Sequence, residues 1–131
     1  MRLSRESYYL KIALVVAERS TCKRAKVGAI LVNPKASQIV ATGYNGSLPG
    51  APHCIDQGCM EIEKHCRRTV HAEMNAVLHL EHRYQELHCY TTHQPCAACY
   101  KALVMANVKI VYIIFGFNIK AKIRVIRINV G

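Results

Sequence analysis

The residues best suited to chemistry are His71, Glu73, Cys96 and Cys99, set in the segments His71-Ala72-Glu73 and Pro95-Cys96-Ala97-Ala98-Cys99. One imidazole and two thiols make three protein ligands, the number a catalytic zinc takes while keeping a fourth position for water. Cys96 and Cys99 lie three positions apart, so on a helix their sulfurs share a face and can grip one ion. His71 and Glu73 are two apart and would diverge in mid-helix. In a first turn both can reach a centre lying beyond the helix end, one as ligand and the other as a free carboxylate. Zinc makes hydroxide available at neutral pH. A hydrolytic displacement also needs a group that takes the water's proton and returns it to the departing group, which one glutamate can do. A lone His-x-Glu carries little information, and a lone Cys-x-x-Cys serves equally as structural zinc site or redox pair. In this order, each opening a helix, they are specific.

Those helix starts matter because free N–H groups and the positive dipole end favour thiolate over thiol. A helix is expected over 70–83, capped by Thr69 and turning Met74, Val77 and Leu78 to the core. Another starts with Pro95 at its first position and runs to about residue 107. LHCYTT (87–92) reads as a strand, and KIVYIIF (109–115) as a strand covered on both faces. Upstream, Ser4 caps a helix whose stripe is Tyr8, Ile12, Val15 and Val16, ending near Arg19. Residues 27–33 and 38–42 form a hairpin across Asn33-Pro34, and 43–52 are rich in turn residues. The tail from Lys120 alternates basic and apolar residues like a half-exposed edge strand. With no repeat or linker, residues 1–131 read as a single α/β layered domain.

The formal net charge of +10 suits either a nucleic-acid surface or smaller anions. The cations are dispersed: Lys23, Arg24 and Lys26; Arg67 and Arg68; and Lys120, Lys122, Arg124 and Arg127. Nine aromatics, none of them tryptophan, do not interleave with these clusters as a stacking platform would. A zinc-stabilised nucleic-acid-binding module is therefore the lesser alternative, and a phosphate-bearing small molecule the favoured partner. No secretory signal and no apolar run long enough for a bilayer are expected, which points to the cytoplasm and to no membrane partner. Seven cysteines without a signal peptide argue for metal or catalysis over a disulfide scaffold.

The order H-x-E then P-C-x-x-C is the pattern of zinc deaminases. Beyond it, RSTCKRAKVGAILV, TGYNGSLPG, PHCIDQGC and CRRTVHAEMNA make the chain resemble the deoxycytidylate (dCMP) deaminases of the cytidine deaminase superfamily. The likeness runs from about Arg19 to Tyr112. The tRNA adenosine deaminases share HAE and PC-x-x-C but usually carry Met where this chain has Ala97 and Ala98. The resemblance implies a three-layer α/β/α fold on a mixed sheet of about five strands. It implies hydrolysis of dCMP to dUMP and ammonia, supplying dUMP for thymidylate synthesis, with a nucleoside, dCTP or a tRNA base as the alternative substrate. His71, Cys96 and Cys99 would hold the catalytic zinc and Glu73 would move the protons. Asn45 would bond the deoxyribose, and the Ala72 N–H the pyrimidine carbonyl. Arg24, Lys26 and Arg68 are the candidates for the 5′-phosphate. Tyr44 and Gly46 lie in the loop that hosts a dCTP or dTTP effector in some members, where Mg2+ would accompany the triphosphate. Cys22, Cys54, Cys59 and Cys66, with His53 or His65 as substitutes, are the candidates for a second, structural zinc that would order residues 53–68. A homo-oligomer, hexamer or dimer, is implied too, although the short stretch after 115 leads us to expect no closing helix. Leu48 ahead of Pro49, and Gln94 ahead of Pro95, depart from the family's commoner pattern.

Overall fold

The computed structural model describes residues 2–22, 25–47, 61–62, 65–66, 69–114 and 123–128. Helix α1 spans Arg5–Ala17, and the Ser4 hydroxyl caps it by accepting from the Ser7 N–H at 3.2 Å. Strands β1 (Gly28–Asn33) and β2 (Gln38–Tyr44) pair antiparallel. In their turn the Asn33 side chain accepts from the Lys35 N–H, and Ser37 takes a positive φ of 52°. Helix α2 (Ala72–Leu78), strand β3 (Leu87–Thr91), helix α3 (Ala97–Met105) and strand β4 (Val108–Ile114) follow, and β5 (Ile123–Arg127) closes the described chain. The sheet order is β2-β1-β3-β4-β5, with β3 and β4 parallel and every other pair antiparallel.

Alternation along β1 divides the core in two, as a pleated strand requires. Ile30 and Val32 pack with Tyr9, Leu10 and Ala13 of α1 and with Tyr90 and Ile114. Ala29 and Leu31 face the other way, towards Ala72, Ala76, Cys89, Leu103 and Val111. Helix α1 thus covers one face of a five-stranded mixed sheet, and α2 and α3 cover the other. This is the expected three-layer α/β/α arrangement. The edge character of the tail holds as well: β5 pairs on one side only, and its Arg124 and Val125 are exposed.

Two glycines set how closely the helices approach. A Cβ on Gly28 would lie 2.1 Å from the Ala13 carbonyl oxygen and 2.6 Å from the Ala17 nitrogen. One on Gly43 would lie 2.3 Å from the Ala72 oxygen and 2.4 Å from the Ala76 nitrogen. Backbone packs on backbone at both places, which changes which helical face is buried. In α1 the buried residues are Tyr9, Leu10, Ala13 and Ala17, while Tyr8 and Val15 of the expected stripe are exposed. In α2 they are Ala72, Glu73 and Ala76; Leu78, expected in the core, is 69% exposed.

The helix boundaries differ from expectation in a related way. Helix α2 starts after His71, and Thr69 with Val70 instead forms a two-residue antiparallel ladder with Gly46–Ser47. Helix α3 starts after Cys96, so Pro95 precedes the cap and does not occupy the first helical position. A second short ladder pairs Glu61–Ile62 with His65–Cys66. Strand β4 is covered on both faces as expected, with Val111 and Ile113 in one core cluster and Tyr112 and Ile114 at the other, while Lys109 near its start stays exposed.

Candidate metal centre

Two helix N-termini meet at one point because the residues that cap them are the ligand candidates. His71 is the cap residue of α2 in extended backbone (φ −67°, ψ 152°), and Cys96 is that of α3 (φ −71°, ψ 170°). The Cys96 sulfur accepts from the Cys99 N–H at 3.5 Å, as a serine oxygen would at a cap. Cys99, one helical turn along, is buried. The His71 Nδ1 stands 3.4 Å from the Cys96 Sγ and 3.4 Å from the Cys99 Sγ. All three ligand atoms lie within 4.8 Å of one another, the one such group among the described residues.

Those spacings fit zinc. Zinc–sulfur bonds of about 2.3 Å and zinc–nitrogen bonds of about 2.0–2.1 Å at the tetrahedral angle place nitrogen and sulfur about 3.5–3.6 Å apart. The electrostatics ask for a cation as well. Burial pushes the Cys99 thiol above its ordinary value, and the Glu73 carboxylate and the hydrogen bond and charge of Cys96 push it further. A backbone hydrogen bond at Met74 acts the other way. Behind the cluster, Cys89 is completely buried and raised by that burial, then by Glu73 and Cys99. A divalent ion held there would instead favour the thiolate form of its sulfur ligands.

Glu73 is 3% exposed and is not part of the three-atom group. It sits in the first turn of α2, where the helix end favours negative charge. Its Oε1 accepts at 3.1 Å from the hydroxyl of Thr91, the last residue of β3. The site therefore stands at the carboxyl end of a parallel strand, where open α/β sheets place their ligands. Just beyond, the Thr92 hydroxyl takes the Gly28 N–H and lies 2.9 Å from the His93 Nδ1. The Gln94 side chain accepts from Arg124 at 3.0 Å, tying β5 to the approach to Cys96.

Asn45 is buried, and both ends of its carboxamide are engaged: Oδ1 accepts from the Val27 N–H and Nδ2 donates to the Ala25 oxygen. Its own carbonyl takes the Ser20 hydroxyl at 2.7 Å. Each end of a carboxamide keeps one further hydrogen-bonding position. Lys26 is exposed on the segment that Asn45 pins. Ala72 opens α2, so its N–H belongs to the first turn, which has no intrahelical acceptor. The Tyr44 carbonyl accepts from the Asn75 side chain, and Gly46 pairs with Val70. Cys22 is buried, and Cys66 and His65 belong to the short ladder with residues 61–62. Arg24, His53, Cys54, Cys59 and Arg68 lie outside the described residues. Sequence reasoning missed Thr91: a threonine in a strand gives no sign of which carboxylate will face it. No helix among the described residues is long and apolar enough to cross a membrane.

The family described as the cytidine and deoxycytidylate deaminase zinc-binding region matches residues 3–115. The chain is similar to ComE operon protein 2 of Bacillus subtilis, 43% identical over 114 residues that cover 85% of this chain and 59% of that one. It is 34% identical to the deoxycytidylate deaminase of Mycobacterium phage D29 over 122 residues, 82% of this chain and 92% of the phage protein. The chain thus spans well under two thirds of the Bacillus protein but nearly all of the phage one. Among solved structures it superposes on the dCMP deaminase of cyanophage S-TIM5 in complex with dCMP and dUMP, with a TM-score of 0.71 and 33% identity, over 86% of this chain and 82% of that one.

Proposed function

Because the chain belongs to the cytidine and deoxycytidylate deaminase family, we propose that it hydrolyses dCMP to dUMP and ammonia, providing dUMP for thymidylate synthesis in the cytoplasm. The observation that carries this reading is the buried Glu73 carboxylate, held by Thr91 beside a three-ligand group of zinc dimensions without belonging to it. The cyanophage neighbour's complex with dCMP and dUMP supports the choice of substrate. A zinc ion held by His71, Cys96 and Cys99 would supply Lewis acidity and make hydroxide available at neutral pH. Glu73 takes a proton from the attacking water as its oxygen bonds to the ring carbon that bears the amino group. It gives that proton to the ring nitrogen, then takes the remaining proton from the newly bonded hydroxyl and passes it to the amino nitrogen as the carbon–nitrogen bond breaks, so that dCMP and water become dUMP and ammonia.

The Ala72 N–H is assigned to the pyrimidine carbonyl, and the remaining capacity of Asn45 to the deoxyribose. Lys26, with Arg24 and Arg68, is assigned to the 5′-phosphate, and Tyr44 and Gly46 to a dCTP or dTTP effector with Mg2+. A homo-oligomer belongs to the same reading, supported by exposed Leu78 on α2 and by exposed Met105 in a groove that Val77, Leu80, His82, Arg83 and Ala102 also line. Ammonia release from dCMP, CMP, deoxycytidine, cytidine and tRNA, with and without dCTP and dTTP, tests the assignment. We expect dCMP to exceed deoxycytidine by about 10²-fold or more in kcat/KM, since phosphate contacts left unpaired exact that scale of penalty. Equal use of cytidine would remove the phosphate assignment, and use of tRNA alone would remove dCMP.

The thiols left over are assigned to a second, structural zinc held by Cys22, Cys54, Cys59 and Cys66, with His53 or His65 able to replace a cysteine. Support comes from the burial of Cys22 and from the closed four-ligand sets that structural zinc takes. Elemental analysis of the purified protein should give two zinc ions per chain and one in Cys99→Ala. One zinc in the intact protein would end the second-site assignment.

A further inference from the structure

Thr91 carries a role that neither the metal ligands nor the proton shuttle accounts for. It is the final residue of β3, its side chain is fully buried, and it lies on the face of the sheet covered by α2 and α3. Its hydroxyl is 3.1 Å from the Glu73 Oε1 and also 3.1 Å from the His93 carbonyl oxygen, while the His93 N–H approaches it at 3.5 Å. A single side chain thereby connects the shuttle carboxylate on α2 to the turn leading from β3 towards Cys96. A buried carboxylate with one oxygen held by a hydroxyl has a fixed plane, and its second oxygen then points one way. The other buried residues of α2, Ala72 and Ala76, have no polar side chain with which to orient a carboxylate.

We propose that Thr91 is a positioning residue for Glu73: its hydroxyl fixes Oε1 and leaves Oε2 to exchange protons with water and substrate. The proposal rests on the deaminase reading for its kinetic consequence, but its geometric consequence stands apart from any substrate. Valine has nearly the shape of threonine and suits a strand, so Thr91→Val removes the hydroxyl with little change in packing. Thr91→Ser keeps the hydroxyl and loses a methyl group. For Thr91→Val we expect the zinc content of the native protein, KM for dCMP within about twofold, and kcat lower by on the order of tenfold, the pattern of an interaction used only in the transition state. Thr91→Ser should recover kcat to within about threefold of the native value.

Crystal structures of both variants supply a readout independent of turnover: the Glu73 carboxylate should be rotated or split between orientations in Thr91→Val and native-like in Thr91→Ser. An unchanged Glu73 in Thr91→Val, a native kcat there, or equal losses in the two variants would overturn the proposal. Should the native protein leave dCMP untouched, the substrate reading fails while the Glu73 orientation still decides the role of Thr91.

Discussion

Glu73→Gln should leave the protein folded and loaded with zinc while lowering turnover of dCMP by about 10²- to 10⁴-fold. Glutamine matches glutamate in shape, and its carbonyl oxygen can still accept the Thr91 hydroxyl, so the buried bond survives. Metal binding should survive too, because the three atoms of zinc dimensions belong to His71, Cys96 and Cys99. What disappears is the ability to take a proton from water and hand it on, since a neutral carboxamide has no basic oxygen for the task. Alanine would be a poorer probe. It would open a cavity at a position that is 3% exposed and remove one of the two acceptors facing the Thr91 hydroxyl, mixing a stability loss into the kinetics. Metal analysis with single-turnover assays checks the outcome. Loss of zinc with loss of activity would make Glu73 a ligand, and undiminished turnover would remove it from the mechanism.

The grouping of His71, Cys96 and Cys99, and the carboxylate of the same segment, were legible in the sequence because a zinc site admits few residue types, and the spacing of a helix start admits few separations. The surrounding helices were less so, for a reason visible at Ala13, Ala17, Ala72 and Ala76. Periodicity is read from large apolar side chains, and it drew attention to Tyr8, Val15 and Leu78, all of them exposed. The faces that are buried carry alanines, because Gly28 and Gly43 bring strand and helix backbones into contact. Alanine is also a good helix former on any face, so it marks no side. Both helix starts were misplaced by two residues because His71 and Cys96 occupy the caps. Neither is a usual capping residue, and Thr69 and Pro95 looked the better choices. Thr91 was beyond reach altogether, since its partner comes from another element of the fold.

Gly43→Ala should damage fold and site together. A methyl group there would overlap the Ala72 oxygen and the Ala76 nitrogen, both main-chain atoms that no rotamer change can move. Relief requires α2 to withdraw from β2, which also strains two bonds that hold the helix to that strand: Asn75 to the Tyr44 carbonyl and His79 to the Thr42 carbonyl. Overpacking of this kind costs about 1–3 kcal/mol or more. In a domain of this size that lowers the melting temperature by on the order of 10 °C. The site suffers because His71 caps the displaced helix and Glu73 lies in its first turn. A shift of about 1 Å is enough to cost about 10²-fold in rate. Zinc affinity and turnover should therefore fall in the fraction that remains folded, measured by metal competition and by activity below the transition. Gly46→Ala is the matching control, because a Cβ there would find its nearest neighbour, the Tyr44 ring, at an ordinary 3.6 Å. Equal melting temperatures for the two variants would show that α2 can yield without cost, and the tie between helix approach and metal geometry would not hold.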